Sequence, residues 1–190
     1  MKTSINILLV FLFAACTSVP DERMTPYVDF PETRELTART LSLDSALFRY
    51  PYRVRVQDDK AVVLDLHGTE YFFHAFHYPG FHYLSSFGKR GDAPEEMLSA
   101  ENLRWNGNFL WTLDSNKSEL TRLGFASSGD SLLRLEAVSL DEELLRALDF
   151  VQYDDSTFII PDYSGDSRFC LVSRQGKLLH KICLLYTSPS

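Results

Sequence analysis

The chain lacks a basic surface, a disulfide framework, a membrane-length apolar run and the common catalytic signatures. Each absence removes a class of function. Lysine and arginine number 19 against 26 aspartates and glutamates, for a net charge of −7, and no Lys/Arg stripe interrupts the acidity. Without clustered cations to displace counterions from phosphates, nucleic acid is not an expected partner. The three cysteines make no framework. Cys16 directly follows an N-terminal leader and Cys183 lies in an unusual tail, leaving Cys170 inside a strand pattern as a small buried hydrophobe. A Cys170–Cys183 disulfide is the rival reading. Gly-x-Ser-x-Gly, the P-loop and the dinucleotide fingerprint are all missing, so no familiar nucleophile elbow or phosphate cradle is expected. What is present, 45% hydrophobic and 13% aromatic residues, is ample for a folded core.

One pattern recurs three times. An apolar run ends in an aspartate at Val62-Val63-Leu64-Asp65, at Leu110-Trp111-Thr112-Leu113-Asp114 and at Phe158-Ile159-Ile160-Pro161-Asp162. The aspartates lie 49 and 48 positions apart (114 − 65, 162 − 114), and a glycine turn follows each at Gly80, Gly129 and Gly176. A period of about 40–50 residues built from short strands is the signature of a β-propeller blade. Each unit reads as four strands, with blades at about 51–88, 101–138 and 147–182. In the first, Tyr52, Val54 and Val56 alternate with Arg53 and Arg55, a half-buried strand. Residues 37–41 read as a strand that completes the last blade of a ring. Residues 141–148 read as an inter-blade turn, a short helix being the alternative. The fold class is therefore all-β, a propeller of four-stranded antiparallel blades with about three present.

Both ends carry signals of another kind. Lys2, the short apolar stretch Ile5 to Phe13, and Ala14-Ala15-Cys16 read as an export signal over residues 1–15. The cysteine after two alanines resembles the lipobox of bacterial lipoproteins, which implies acylation of Cys16 and anchorage to a membrane. Residues 16–34 are polar and proline-broken, a tether leading to a folded region at 35–182. The last eight residues, Cys183-Leu184-Leu185-Tyr186-Thr187-Ser188-Pro189-Ser190, match the translation of a transposase adapter used in sequencing-library preparation. They are read as an adapter-derived tail over 183–190, with the native sequence stopping near Ile182 and half of a ring missing.

Phe87-Gly88-Lys89-Arg90-Gly91-Asp92-Ala93-Pro94-Glu95-Glu96 is the most specific string in the chain. With Tyr83-Leu84-Ser85-Ser86 before it, the string resembles the blade junction of TolB-like six-bladed propeller lipoproteins of Bacteroidetes. The resemblance covers residues 35–182 and implies a six-bladed ring, a lipid anchor and a cell-envelope location. It implies no activity. Ala93 stands where glycine is usual and Met97 where an aromatic is common. Tryptophan–aspartate dipeptides and kelch double glycines are absent.

Within a blade, antiparallel strands place the turn after the second strand on the same end as the connection to the next blade. Asp65, Asp114 and Asp162 then share that end with His67, Lys89, Arg90 and Asp92, a candidate binding face around the channel mouth. The structural alternative is that each aspartate caps its own turn by accepting backbone N–H groups. Glu95 and Glu96 are adjacent on a loop and poorly placed to flank one bond. His74 and His77 point to opposite faces of a strand, so no shared metal site is expected. Trp105 and Trp111 read as core rather than as a sugar platform. No cofactor is expected. The favoured reading is a non-enzymatic envelope lipoprotein binding a protein, peptide or glycan, held at the membrane through Cys16. The rival is a periplasmic glycan- or lactone-acting hydrolase or lyase on the same scaffold.

Overall fold

The structure, a computed structural model, describes residues 32–41, 48–144, 146–163 and 167–183. The chain divides into two compact units, residues 1–40 and 41–190. In the first, the described residues 32–40 are exposed and carry no strand, with Arg34 Nε donating to Glu32 Oε1 at 2.7 Å. Cys16 and the leader lie outside the described residues, as does the tail beyond residue 183.

The second unit is built from three four-stranded antiparallel sheets, each in sequence order. The first holds β1 (Pro51–Gln57), β2 (Lys60–Asp65), β3 (Tyr71–His77) and β4 (His82–Lys89). The second holds β5 (Asn102–Asn106), β6 (Phe109–Asp114), β7 (Glu119–Phe125) and β8 (Leu132–Ser139). The third holds β9 (Val151–Gln152), β10 (Thr157–Pro161), β11 (Phe169–Ser173) and β12 (Leu178–Ile182). No helix occurs among the described residues.

The period-two alternation of the middle strands explains the stacking of the sheets. Val62 and Leu64 of β2, with Phe73 and Ala75 of β3, face the second sheet and pack with Leu103, Leu110 and Leu123. Trp111, Leu113 and Leu120 turn the other way and pack with Phe158, Ile160, Cys170 and Val172 of the third. Each β6 side chain thus commits to one of two neighbours, as a strand covered on both faces requires. Each fully buried Leu, Val or Phe contributes about 1.5–3 kcal/mol. The far face of the first sheet, Ala61, Val63 and Phe76, is covered by Phe48 and Phe81. Cys170 is free, 1% exposed, and burial pushes its thiol pKa up.

Four local readings need correction or settling. Tyr52, Val54 and Val56 of β1 are 46–48% exposed, while Arg53, Arg55 and Gln57 point at the second sheet and bond to it. The alternation marks two unlike faces, but the arginine face is the packed one, because its neighbour offers backbone and amide oxygens rather than apolar side chains. Residues 37–41 form no strand. They are mostly exposed. The first strand of the third sheet is two residues long rather than seven, since Ala147 and Phe150 sink into the core and Asp149 turns toward Arg104. Around 141–148 the described residues make a turn, closed by Leu144 N–H on Asp141 O at 2.9 Å.

Candidate functional site

The aspartates that set the repeat are structural clamps. Asp65 is fully buried and accepts the N–H groups of Arg49 and Tyr50 at 2.8 and 2.6 Å. Asp114, 1% exposed, accepts Leu98 N–H at 2.7 Å, Ser99 Oγ–H at 2.9 Å, and the N–H groups of Asn116 and Lys117 at 3.0 Å. In both cases the carboxylate ties the end of a second strand to the segment leading into its own sheet. Asp162 is half-buried and accepts Ser167 Oγ–H at 2.9 Å. Asp65 and Asp114 therefore have no open face to offer a ligand.

The glycine-rich string is folded tightly onto the same end. Gly88 has φ +65°, and an added Cβ would meet the Phe73 ring at 2.6 Å, so the position needs glycine. Lys89 Nζ donates to Glu96 Oε1 at 2.7 Å, which raises the lysine pKa and lowers that of the glutamate. Arg90 lies over the Phe72 ring at 5.5 Å and donates to Gly68 O at 3.3 Å. Lys117 Nζ latches the loop through Ala93 O and Glu96 O, both at 2.6 Å, and Arg134 Nη1 donates to Pro94 O at 2.6 Å. His67, Lys89, Arg90 and Asp92 are the exposed members of the predicted face, with His67 against the Tyr50 ring at 5.4 Å.

A concave polar site forms elsewhere, among the first strands of the three sheets. A cavity of about 370 Å³ is lined by Arg55, Arg104, Trp105, Asn106, Trp111 and Gln152, among others. Arg55 and Arg104 occupy equivalent places in β1 and β5, 49 residues apart (104 − 55). Arg104 is paired with Asp149, with Nη2 at 2.9 and 3.0 Å from its two oxygens and Nε at 3.2 Å from one. Asp149 also accepts from Asn102 Nδ2, and Asn102 Oδ1 accepts from Arg53 Nη1 at 3.0 Å. This chain of bonds stitches β1 and β5 to the segment leading into β9. Arg55 donates Nε–H to Leu103 O at 3.2 Å and forms no ion pair among the described residues. Burial lowers its pKa, as do the neighbouring guanidinium groups of Arg53 and Arg104. Trp105 stacks on Phe125 at 6.3 Å, and its Nε1–H is buried without a partner among the described residues, as is Gln152 Oε1. Sequence reasoning did not single out these residues as a site. The signal was an arginine repeated at the blade period.

Two other clusters have been resolved. His74 Nδ1 and Ser86 Oγ are 2.7 Å apart, Tyr83 Oη lies 2.8 Å from the same hydroxyl, and burial lowers the histidine pKa. No group of three metal-ligating side chains occurs among the described residues.

The fold has a counterpart among solved structures. Among curated proteins none matches. One similar solved structure is a crystal structure of a protein predicted to be exported, from Bacteroides fragilis NCTC 9343. It is 14% identical with a TM-score of 0.60, over 78% of this chain and 42% of that one. At that identity the likeness is one of fold, and this chain spans less than half of that protein's length. The sequence profile of TolB-like 6-blade propeller-like proteins matches residues 29–188. With three successive four-stranded sheets stacked face to face, the chain belongs to the TolB-like six-bladed propeller-like family.

Proposed function

We propose that the protein is a binding module of the bacterial cell envelope, held to a membrane through an acylated Cys16, that takes its ligand in the concavity among the first strands of its blades. The observation that carries this reading is the cavity itself: polar groups converge on about 370 Å³, while the buried carboxylates of Asp65 and Asp114 are taken up by loop clamps. Cavities of this size and mixed character are where small ligands or projecting groups of a larger partner bind. The envelope location draws support from the exported neighbour and from the Ala14-Ala15-Cys16 string. Two measurements test the reading. Intact mass of detergent-extracted protein is expected to show a diacyl-scale increase on a chain beginning at Cys16. Affinity purification from cross-linked envelopes is expected to retain one stoichiometric protein, peptide or glycan component. Steady turnover of a glycan or lactone panel by the purified protein would replace binding with hydrolase or lyase chemistry.

A further inference from the structure

We propose that this cavity takes a carboxylate-bearing sugar, a uronate unit of an acidic saccharide. The inference rests on the reading of the protein as a binding module and names the chemistry of its ligand.

Donor accounting comes first. A guanidinium carries five N–H donors in a rigid fork. Arg55 spends one of them, on Leu103 O, and Arg104 directs Nε and Nη2 at Asp149. Both terminal nitrogens of Arg55 and Nη1 of Arg104 have no acceptor among the described residues. Two arginines against one aspartate leave positive charge on the cavity wall, in a chain whose net charge is −7. The missing anion is then expected from the ligand, and a planar carboxylate matches the fork in bidentate fashion.

The remaining walls narrow the class. Half-buried Trp105 supplies apolar surface, with the fully buried Trp111 and Phe150 behind it, and Trp105 is held in place by its stack on Phe125. One buried donor, Trp105 Nε1–H, and one buried acceptor, Gln152 Oε1, lack partners among the described residues, and both residues line the cavity. Hydroxyl groups both accept and donate, so a sugar can satisfy the two together. Sulfate would engage the arginines but has no proton for Gln152. A neutral sugar would serve the tryptophan and the glutamine but leave the arginines unmatched. The uronate unit answers all three demands, and the cavity lies at the small end of the range of about 300–1,000 Å³ that ligand sites occupy.

The test is titration calorimetry of the full-length protein with a galacturonic acid trisaccharide, the galactose trisaccharide and sulfate, with tryptophan fluorescence as a second readout. The acidic trisaccharide is expected to bind and to quench fluorescence, with the neutral one about tenfold weaker or more. Arg55→Gln is expected to erase most of that difference, and Arg55→Lys to restore only part of it. Gln152→Leu keeps the test sharp if Arg55 variants misfold, because the Gln152 side chain bonds only Asp154 O, an exposed contact, among the described residues. It is expected to weaken both saccharides while leaving the preference for acid. Equal binding of the two saccharides overturns the proposal. So does sulfate binding as tight as the trisaccharide, or affinity that neither variant changes. If no saccharide binds but envelopes yield a stoichiometric partner, this inference falls and the binding-module reading stands. If neither is seen, both fall.

Discussion

Asp114 accepts four hydrogen bonds while almost wholly removed from water, so its loss leaves several donors unpaired. A buried unpaired donor costs about 1–3 kcal/mol. Asp114→Ala is therefore expected to lower stability by about 3 kcal/mol or more, and the melting temperature by roughly 10 °C, in a domain of this size. Urea and thermal unfolding check this. A variant of unchanged stability that loses ligand would return Asp114 to the binding face. His74 supplies a pH dependence. Burial lowers its folded-state pKa, with the Asp65 carboxylate opposing the shift. The unfolded chain titrates near the ordinary value of about 6.5 and so binds the proton more readily. Stability is therefore expected to fall as pH drops below about 6.5, until the folded-state pKa is passed. His74→Gln should flatten that limb when melting temperature is followed from about pH 7.5 to 5. At this scale the sequence was half legible. The spacing of Asp65, Asp114 and Asp162 marked their common place, but an aspartate after an apolar run serves a loop clamp and a ligand equally well. Only the positions of Arg49, Tyr50, Leu98 and Ser99 decide between them, and those residues lie 15 or 16 positions upstream.

Among the elements, the loop joining the first two sheets shows why a short string can be so specific. Gly88 and Gly107 both have positive φ, at +65° and +54°, but only Gly88 is crowded, with Phe73 and Met97 Sδ inside 3.2 Å of an added Cβ. Gly107 has nothing within 4 Å. Gly107→Ala is expected to cost about 1–2 kcal/mol, the left-handed penalty alone. Gly88→Ala adds overpacking of about 1–3 kcal/mol. Paired urea curves measure the difference, and equal costs would mean that the Phe73 ring moves aside freely. Strand existence was legible from period-two runs and turn residues. The orientation of β1 was not, because alternation distinguishes two faces without saying which meets a neighbour. That inversion hid the site: Arg55 read as the polar side of a half-buried strand until β5 was placed beside β1.

At the scale of the whole stacked unit, the third sheet's outer face differs from the second's in one respect. Leu120 is fully buried under the third sheet, whereas Phe169, 49 positions on in the repeat, is 37% exposed (169 − 120). Val151, Tyr153 and Ile182 nearby are 46%, 69% and 44% exposed. The 190-residue chain is expected to self-associate with rising concentration, and Phe169→Glu to shift sedimentation toward monomer. An unaltered profile would locate the association elsewhere.

The two tryptophans of the chain allow the coupling between sheets to be measured one interface at a time. Trp105 belongs to the packing of the first two sheets and Trp111 to that of the last two, edge-on to Phe158 at 5.1 Å. In a stacked array, stability is close to a sum of unit terms and nearest-neighbour interface terms. Asp149 bonds Arg104 and Asn102 across the second interface and nothing across the first. Asp149→Ala should therefore act on one reporter more than the other. In a Trp105→Phe background, where Trp111 alone fluoresces, the urea midpoint is expected to fall by about 0.5–1.5 M. In a Trp111→Phe background the further shift caused by Asp149→Ala should be under half of that. Equal shifts would show the three sheets unfolding as one block, with interface bonds felt everywhere at once. A larger shift at Trp105 would mean that the Arg53–Asn102–Asp149 chain of bonds carries strain across the middle sheet, and the nearest-neighbour description would fail.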